Sequence, residues 1–160
     1  MKRKLYNFHK LIWLIMSIIA LKINSHKLFA IILFFNIKKL KKIECNNKNI
    51  KQILVFSKSG GIEDLKQALN SKKNNIQVFF IPRSFLKKVH SHFFRGIQKK
   101  DYFTKLKNND EIFKKNSYVN FLTLSFRYLD KIFKINAFVS FNLFYYSEKH
   151  FEEVCKNLNK

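Results

Sequence analysis

The sequence predicts an α/β fold with a short parallel sheet, and three observations lead there. Short β-branched and aromatic runs alternate with stretches of helical spacing, in the order strand, helix, strand, helix, helix, strand, helix, a pattern that implies crossover connections between parallel strands. Hydrophobic residues make up 47% of the chain and include 19 Phe, enough apolar surface for a core despite a formal charge of 32 − 10 = +22. Only three Gly and one Pro occur in 160 residues, which excludes collagen-like chains, Gly-rich linkers and most turn-dense small β folds. One domain is expected at this length, with room for a small appendage.

Residues 1–37 read as that appendage. Lys2, Arg3, Lys4 and Lys10 lead into an apolar run from Leu11 to Leu21, with Ser17 its one polar residue. Lys22 and Asn24-Ser25-His26-Lys27 interrupt the run, and Leu28 to Phe35 is apolar again. A cleaved signal peptide needs a small-residue cleavage pattern, and Ala20 is followed instead by Leu21 and Lys22. Neither run alone reaches the roughly 20 residues of a membrane-spanning helix. The expectation is two short helices, or one interrupted helix, lying against a membrane interface and held by basic flanks; burial against a partner domain is the alternative. Residues 38–51, basic and Asn-rich, read as a linker.

The α/β domain is expected over residues 52–160. Gln52 to Ser57 is a buried strand by its β-branched and aromatic content. After Lys58-Ser59-Gly60-Gly61, a helix is expected over 62–70, with Ile62, Leu65, Ala68 and Leu69 on one face. Ile76 to Ile81 is a second strand, closed by Pro82. Arg83 to Arg95 has helical spacing, with Leu86, Val89 and Phe93 inward and Lys87, Lys88 and Arg95 outward. Residues 98–116 are polar and read as a connection or short helix. A long helix is expected over 117–133, striped by Tyr118, Phe121, Leu122, Leu129 and Ile132, followed by a strand from Ala137 to Phe141. The last helix, 147–158, places Phe151, Val154, Cys155 and Leu158 at i, i+3, i+4 and i+7. Together these elements predict a partial Rossmann-like three-layer domain preceded by N-terminal apolar helices. Three strands are few where such sheets usually have five or six, so the domain reads as incomplete at Lys160.

The charge alone does not identify a partner. The 32 basic residues include only four Arg (Arg3, Arg83, Arg95 and Arg127), and Arg is the side chain that reads guanine bidentately and stacks on bases. A genome biased toward A/T-rich codons yields the same Lys-, Asn-, Ile- and Phe-rich profile, so no specific nucleic acid is expected. A Lys-rich surface does favour an anionic membrane face.

In open parallel sheets, ligands sit outside the carboxyl ends of the strands, here Ser57–Gly61, Pro82–Ser84 and Asn142–Tyr146. Ser59, Gly60 and Gly61 allow a tight strand-to-helix turn or a close approach of backbone to ligand. They match no dinucleotide or P-loop fingerprint, so no cofactor is implied. Glu63 and Asp64, in the first turn of the next helix, suit the helix dipole, and either is also a candidate general base for a hydroxyl. Arg83 follows the second strand, where its guanidinium can hold a carboxylate or phosphate bidentately or form a surface ion pair. Asn142, Tyr145 and Tyr146 can bond and stack on a sugar, or simply close a strand-end turn. His90 and His92 point roughly 200° apart on a helix and cannot share a metal; His9, His26 and His150 have no partner near in sequence. Cys155 reads as a buried structural thiol, and Cys45 has no activating base nearby. No metal site is expected.

These stretches, Ile53-Leu54-Val55-Phe56, Gly60-Gly61-Ile62-Glu63-Asp64-Leu65, Ala68-Leu69, Ile81-Pro82-Arg83-Ser84, Phe93-Phe94, Phe138-Val139-Ser140-Phe141-Asn142 and Tyr145-Tyr146-Ser147-Glu148, resemble the amino-terminal part of bacterial GT-B-like glycosyltransferases and surface-polysaccharide (capsule or lipopolysaccharide) biosynthesis proteins. The resemblance covers about residues 50–158. It implies the acceptor-side half of a two-domain enzyme, with the nucleotide-sugar donor held by a missing carboxyl-terminal domain and this half inactive alone. Its acceptor would be a saccharide or lipid-linked saccharide at the inner face of the cell membrane. Arg83 would hold an acceptor phosphate, and Gly60–Asp64 and Asn142–Tyr146 would line the cleft. A non-catalytic membrane-associated module and a basic nucleic-acid-binding protein are the alternatives.

Overall fold

A computed structural model of the chain describes residues 2–39, 50–57, 68, 75–95, 109–140 and 150–160. Within them the protein is α/β. The helices are α1 (Lys2–Lys22), α2 (His26–Asn36), α3 (Ser84–Phe93), α4 (Asn109–Phe133) and α5 (Phe151–Leu158). The strands are β1 (Lys38–Lys39), β2 (Lys51–Ser57), β3 (Ile76–Pro82) and β4 (Ile135–Val139).

The sheet order is β1-β3-β2-β4. The parallel unit expected from sequence is present, with β2 parallel to both β3 and β4. The sheet is nonetheless mixed, because β1 pairs antiparallel with β3 through Lys38 opposite Phe80 and Lys39 opposite Phe79. These two lysines belong to the stretch expected to be a linker. Two exposed charged residues carry no strand periodicity to read, and a short charged strand is a common way to finish a sheet edge. Side chains alternate along β2: Leu54 and Phe56 join the large core, while Val55 joins Val78 and Phe80 in a second buried cluster. Burial on both faces is why these strands read as continuous apolar runs. Between β2 and β4 the register skips Asn136, whose Oδ1 accepts the Gln52 backbone N–H at 2.7 Å and replaces the missing ladder bond.

The break between α1 and α2 falls where the polar interruption predicts it. Asn24 takes a left-handed φ of 51°, and Ser25 caps α2 by accepting the Leu28 N–H on Oγ. Beyond that break the structure differs from a free-standing amino-terminal segment. Ala20 and Leu21 of α1 and Phe29, Ile32 and Leu33 of α2 are buried in the same cluster as Leu54, Phe56 and Ile81 of the sheet. Phe29 meets Phe121 of α4 at 5.3 Å and Phe85 of α3 at 6.4 Å between ring centroids. Apolar spacing shows that a helix face is covered, but not by what.

Helix α4 begins at Asn109, eight residues before the expected start. Asp110 and Glu111 in its first turn complement the dipole, and Lys114 pairs with Asp110 at 2.6 Å one turn on. The expected stripe holds through Leu129, but Ile132 is 56% exposed. Phe133 takes the inward place in the last turn, against Phe79 and Phe34 at 4.8 and 5.4 Å. Lys134, at φ 48°, ends the helix and turns the chain directly into β4. The strand therefore starts at Ile135, two residues earlier than expected. Helix α5 closes with Asn159 in the left-handed conformation; the Lys160 and Asn159 N–H groups donate to the carbonyls of Cys155 and Lys156.

Candidate functional site

The register of the parallel strands sets Ser57 of β2 beside Pro82 of β3, and Val55 beside Val139 of β4. Their carboxyl ends consequently meet along one edge of the sheet. Arg83 is the one expected site residue that falls among the described residues. Pro82 ends β3, and Arg83 already has helical dihedrals (φ −56°, ψ −22°) at the start of α3, its carbonyl accepting the Lys87 N–H at 3.1 Å. Phe85, Leu86 and Val89 anchor that helix in the core. Arg83 is held with them and is only 9% exposed, so it is not the surface residue of the alternative expectation.

Ser59, Gly60, Gly61, Glu63 and Asp64 after β2, and Asn142, Tyr145 and Tyr146 after β4, lie outside the described residues, as does Cys45. The described chain reaches Ser57 at the end of β2 and Ser140 after β4. Because β2 and β4 are hydrogen-bonded neighbours, their carboxyl ends are adjacent, with the Arg83 turn on the other side of β2.

One constellation was not visible in the sequence. His90 of α3 is buried and stacks on Phe94 at 4.5 Å, Phe94 stacks in turn on His150 at 5.9 Å, and Tyr118 of α4 meets His90 and Phe94 edge-on. His90 and His150 are sixty residues apart in sequence, and only the spacing of His90 with Leu86 on α3 and Phe94 just after it hints at burial. Burial, and secondarily the charge of His150, pushes the His90 pKa down to about 4. Its imidazole is thus neutral near pH 7 and suited to packing. His92, on the exposed side of α3, is lowered by partial burial. Among the described residues no group of three His, Cys, Asp or Glu converges as a metal site would. Burial, and then the Glu152 carboxylate, push the Cys155 thiol up to about 11, which keeps it protonated and a poor nucleophile.

No family model, no curated protein and no solved structure matches the chain.

Proposed function

We propose that this chain is the acceptor-side domain of a glycosyltransferase-like protein of bacterial surface-polysaccharide biosynthesis. It is a Rossmann-like half that holds a phosphate-bearing saccharide acceptor at the carboxyl edge of its parallel sheet, at the inner face of the cell membrane. The observation that carries this reading is Arg83: a guanidinium set by a buried turn directly after a parallel strand, where such sheets take ligands. Its planar fork suits phosphate oxygens bidentately. In this reading the Gly60–Asp64 and Asn142–Tyr146 loops line the cleft, and Glu63 or Asp64 accepts the proton of the attacking hydroxyl. A further domain supplies the nucleotide-sugar, so this half binds but does not transfer.

Titration calorimetry with glucose 1-phosphate as the probe tests it. Wild-type protein is expected to bind, with affinity falling about tenfold or more in Arg83→Ala and less in Arg83→Lys, since a charged hydrogen-bond pair contributes roughly 1.5–3 kcal/mol. Thermal melts of both variants establish that each is folded. Absence of binding to wild-type protein, or unchanged binding in either folded variant, overturns the proposal.

A further inference from the structure

Helix α1 shows two apolar faces, and the fold uses only one. Ser17, Ala20 and Leu21 are buried against the body of the protein, with Trp13 and Met16 packed at the margin of the core. Leu11, Ile12, Ile15, Ile18 and Ile19 are all exposed. At 3.6 residues per turn these five positions fall within an arc of about 120°, the width of a face that ordinarily meets an apolar phase. Ile31 and Phe35, one turn apart on α2, are exposed as well, and Phe35 stacks on Trp13 of α1 at 5.4 Å. A run of this kind is more than the single apolar side chains normal on a protein surface.

The charge around it selects the occupant. Residues 1–43 contain ten Lys and Arg and no Asp or Glu, with Lys2, Arg3, Lys4 and Lys10 at one end of α1 and Lys22 at the other. A second copy of the chain would bring another +22 against the first. An anionic lipid surface offers the opposite sign together with an apolar layer. No helix among the described residues is long and apolar enough to cross a membrane, and α1 has its other face buried in the protein, so it is suited to lie along a bilayer.

We propose that the α1 face formed by Leu11, Ile12, Ile15, Ile18 and Ile19 docks the protein onto an anionic bilayer, inserting these side chains at the headgroup–acyl boundary while the flanking lysines contact lipid phosphates. This stands on residues separate from the Arg83 site and does not rest on the saccharide reading. Geometry of this kind is that of an interfacial amphipathic helix, whose affinity combines buried apolar area with attraction to anionic lipid.

Flotation of the full chain with phosphatidylcholine vesicles containing 30% phosphatidylglycerol, against vesicles of phosphatidylcholine alone, tests the proposal. The protein floats with the anionic vesicles and at least about tenfold less with the neutral ones. The double variant Ile15→Glu/Ile19→Glu, altered only at exposed positions, loses binding to the anionic vesicles by about tenfold or more while keeping the wild-type melting curve. Trp13 packs on the covered side of α1, so Ile15→Trp in a Trp13→Phe background, quenched by brominated lipid, reports contact of the exposed face itself. Failure of wild-type protein to float overturns the proposal. So does undiminished flotation of the double variant, which would assign binding to the lysines alone. A concentration-dependent dimer in sedimentation that the double variant abolishes, with no flotation, assigns the face to a second copy and overturns it equally.

Discussion

Phe56→Ala is expected to cost about 3–5 kcal/mol of stability, the range for removing a large aromatic from a closed core. Phe56 is the middle residue of an aromatic box under the sheet. Its ring meets Phe151 of α5 edge-on at 4.5 Å, Phe126 of α4 at 6.0 Å, and lies parallel to Phe138 of β4 at 6.3 Å. The three partners also touch one another at 5.4 to 5.5 Å. Four rings from four elements thus share one volume, and no neighbour can relax into the gap without leaving another. Such edge-to-face pairs add roughly 0.5–1.5 kcal/mol each beyond burial, which places this site at the upper end of the range. In urea the midpoint should fall with the slope unchanged, and the melting temperature should drop by on the order of 10 °C for a chain of this size. Phe113→Ala, on α4 where the ring is 69% exposed, supplies the control and should stay within about 0.5 kcal/mol of wild type. A loss below about 1 kcal/mol at Phe56 would mean that the box is not closed as described.

That box also shows what the sequence makes legible. Leu54 and Phe56 announce a buried strand because no polar residue interrupts the run, and Phe151 and Val154 announce a buried helix face by their spacing. Both are local signals. The meeting of Phe56, Phe126, Phe138 and Phe151 is a consequence of sheet order, which apolar periodicity does not encode. The same limit explains the remaining differences. Lys134 takes a left-handed φ without being Gly, so nothing in the sequence marks the one-residue turn that moves β4 to Ile135. Lys38 and Lys39 form an edge strand that carries only charge.

At the candidate sites the division is similar. The position of Arg83 after a strand was readable, because Pro82 marks the strand end and the following apolar spacing marks the helix. Its burial was not, since a surface ion pair and a buried guanidinium share the same local pattern. On α1 the sequence shows apolar residues on nearly every side. Only the packing of Ala20 and Leu21 into the core separates the covered face from the one left to solvent, and the separation narrows the proposed membrane contact to five named side chains.

The second large effect expected is a loss of stability in mild acid, centred on His90. Its folded-state pKa is pushed from 6.5 down to about 4 by burial and by the charge of His150. Between those values the unfolded chain binds the proton and the folded chain does not, so stability rises with pH across this window. The contribution of the neutral imidazole is fully present above about pH 6.5 and is lost as pH falls toward 4; a difference of this size corresponds to about 3 kcal/mol. Carboxylates titrate mainly below the upper part of the window, which leaves pH 6.5 to 5 as the range where histidine dominates. The stack gives the loss a physical route, because a proton on His90 would place a charge between Phe94 and Tyr118 in a site 2% exposed. His90→Phe keeps an aromatic ring there and removes the titration. Overpacking is expected to cost the variant about 1–3 kcal/mol at pH 7, so the decisive readout is slope: urea midpoints from pH 7 to 5 should decline for wild-type protein and flatten for His90→Phe. Parallel slopes would show that His90 is not held neutral by the fold.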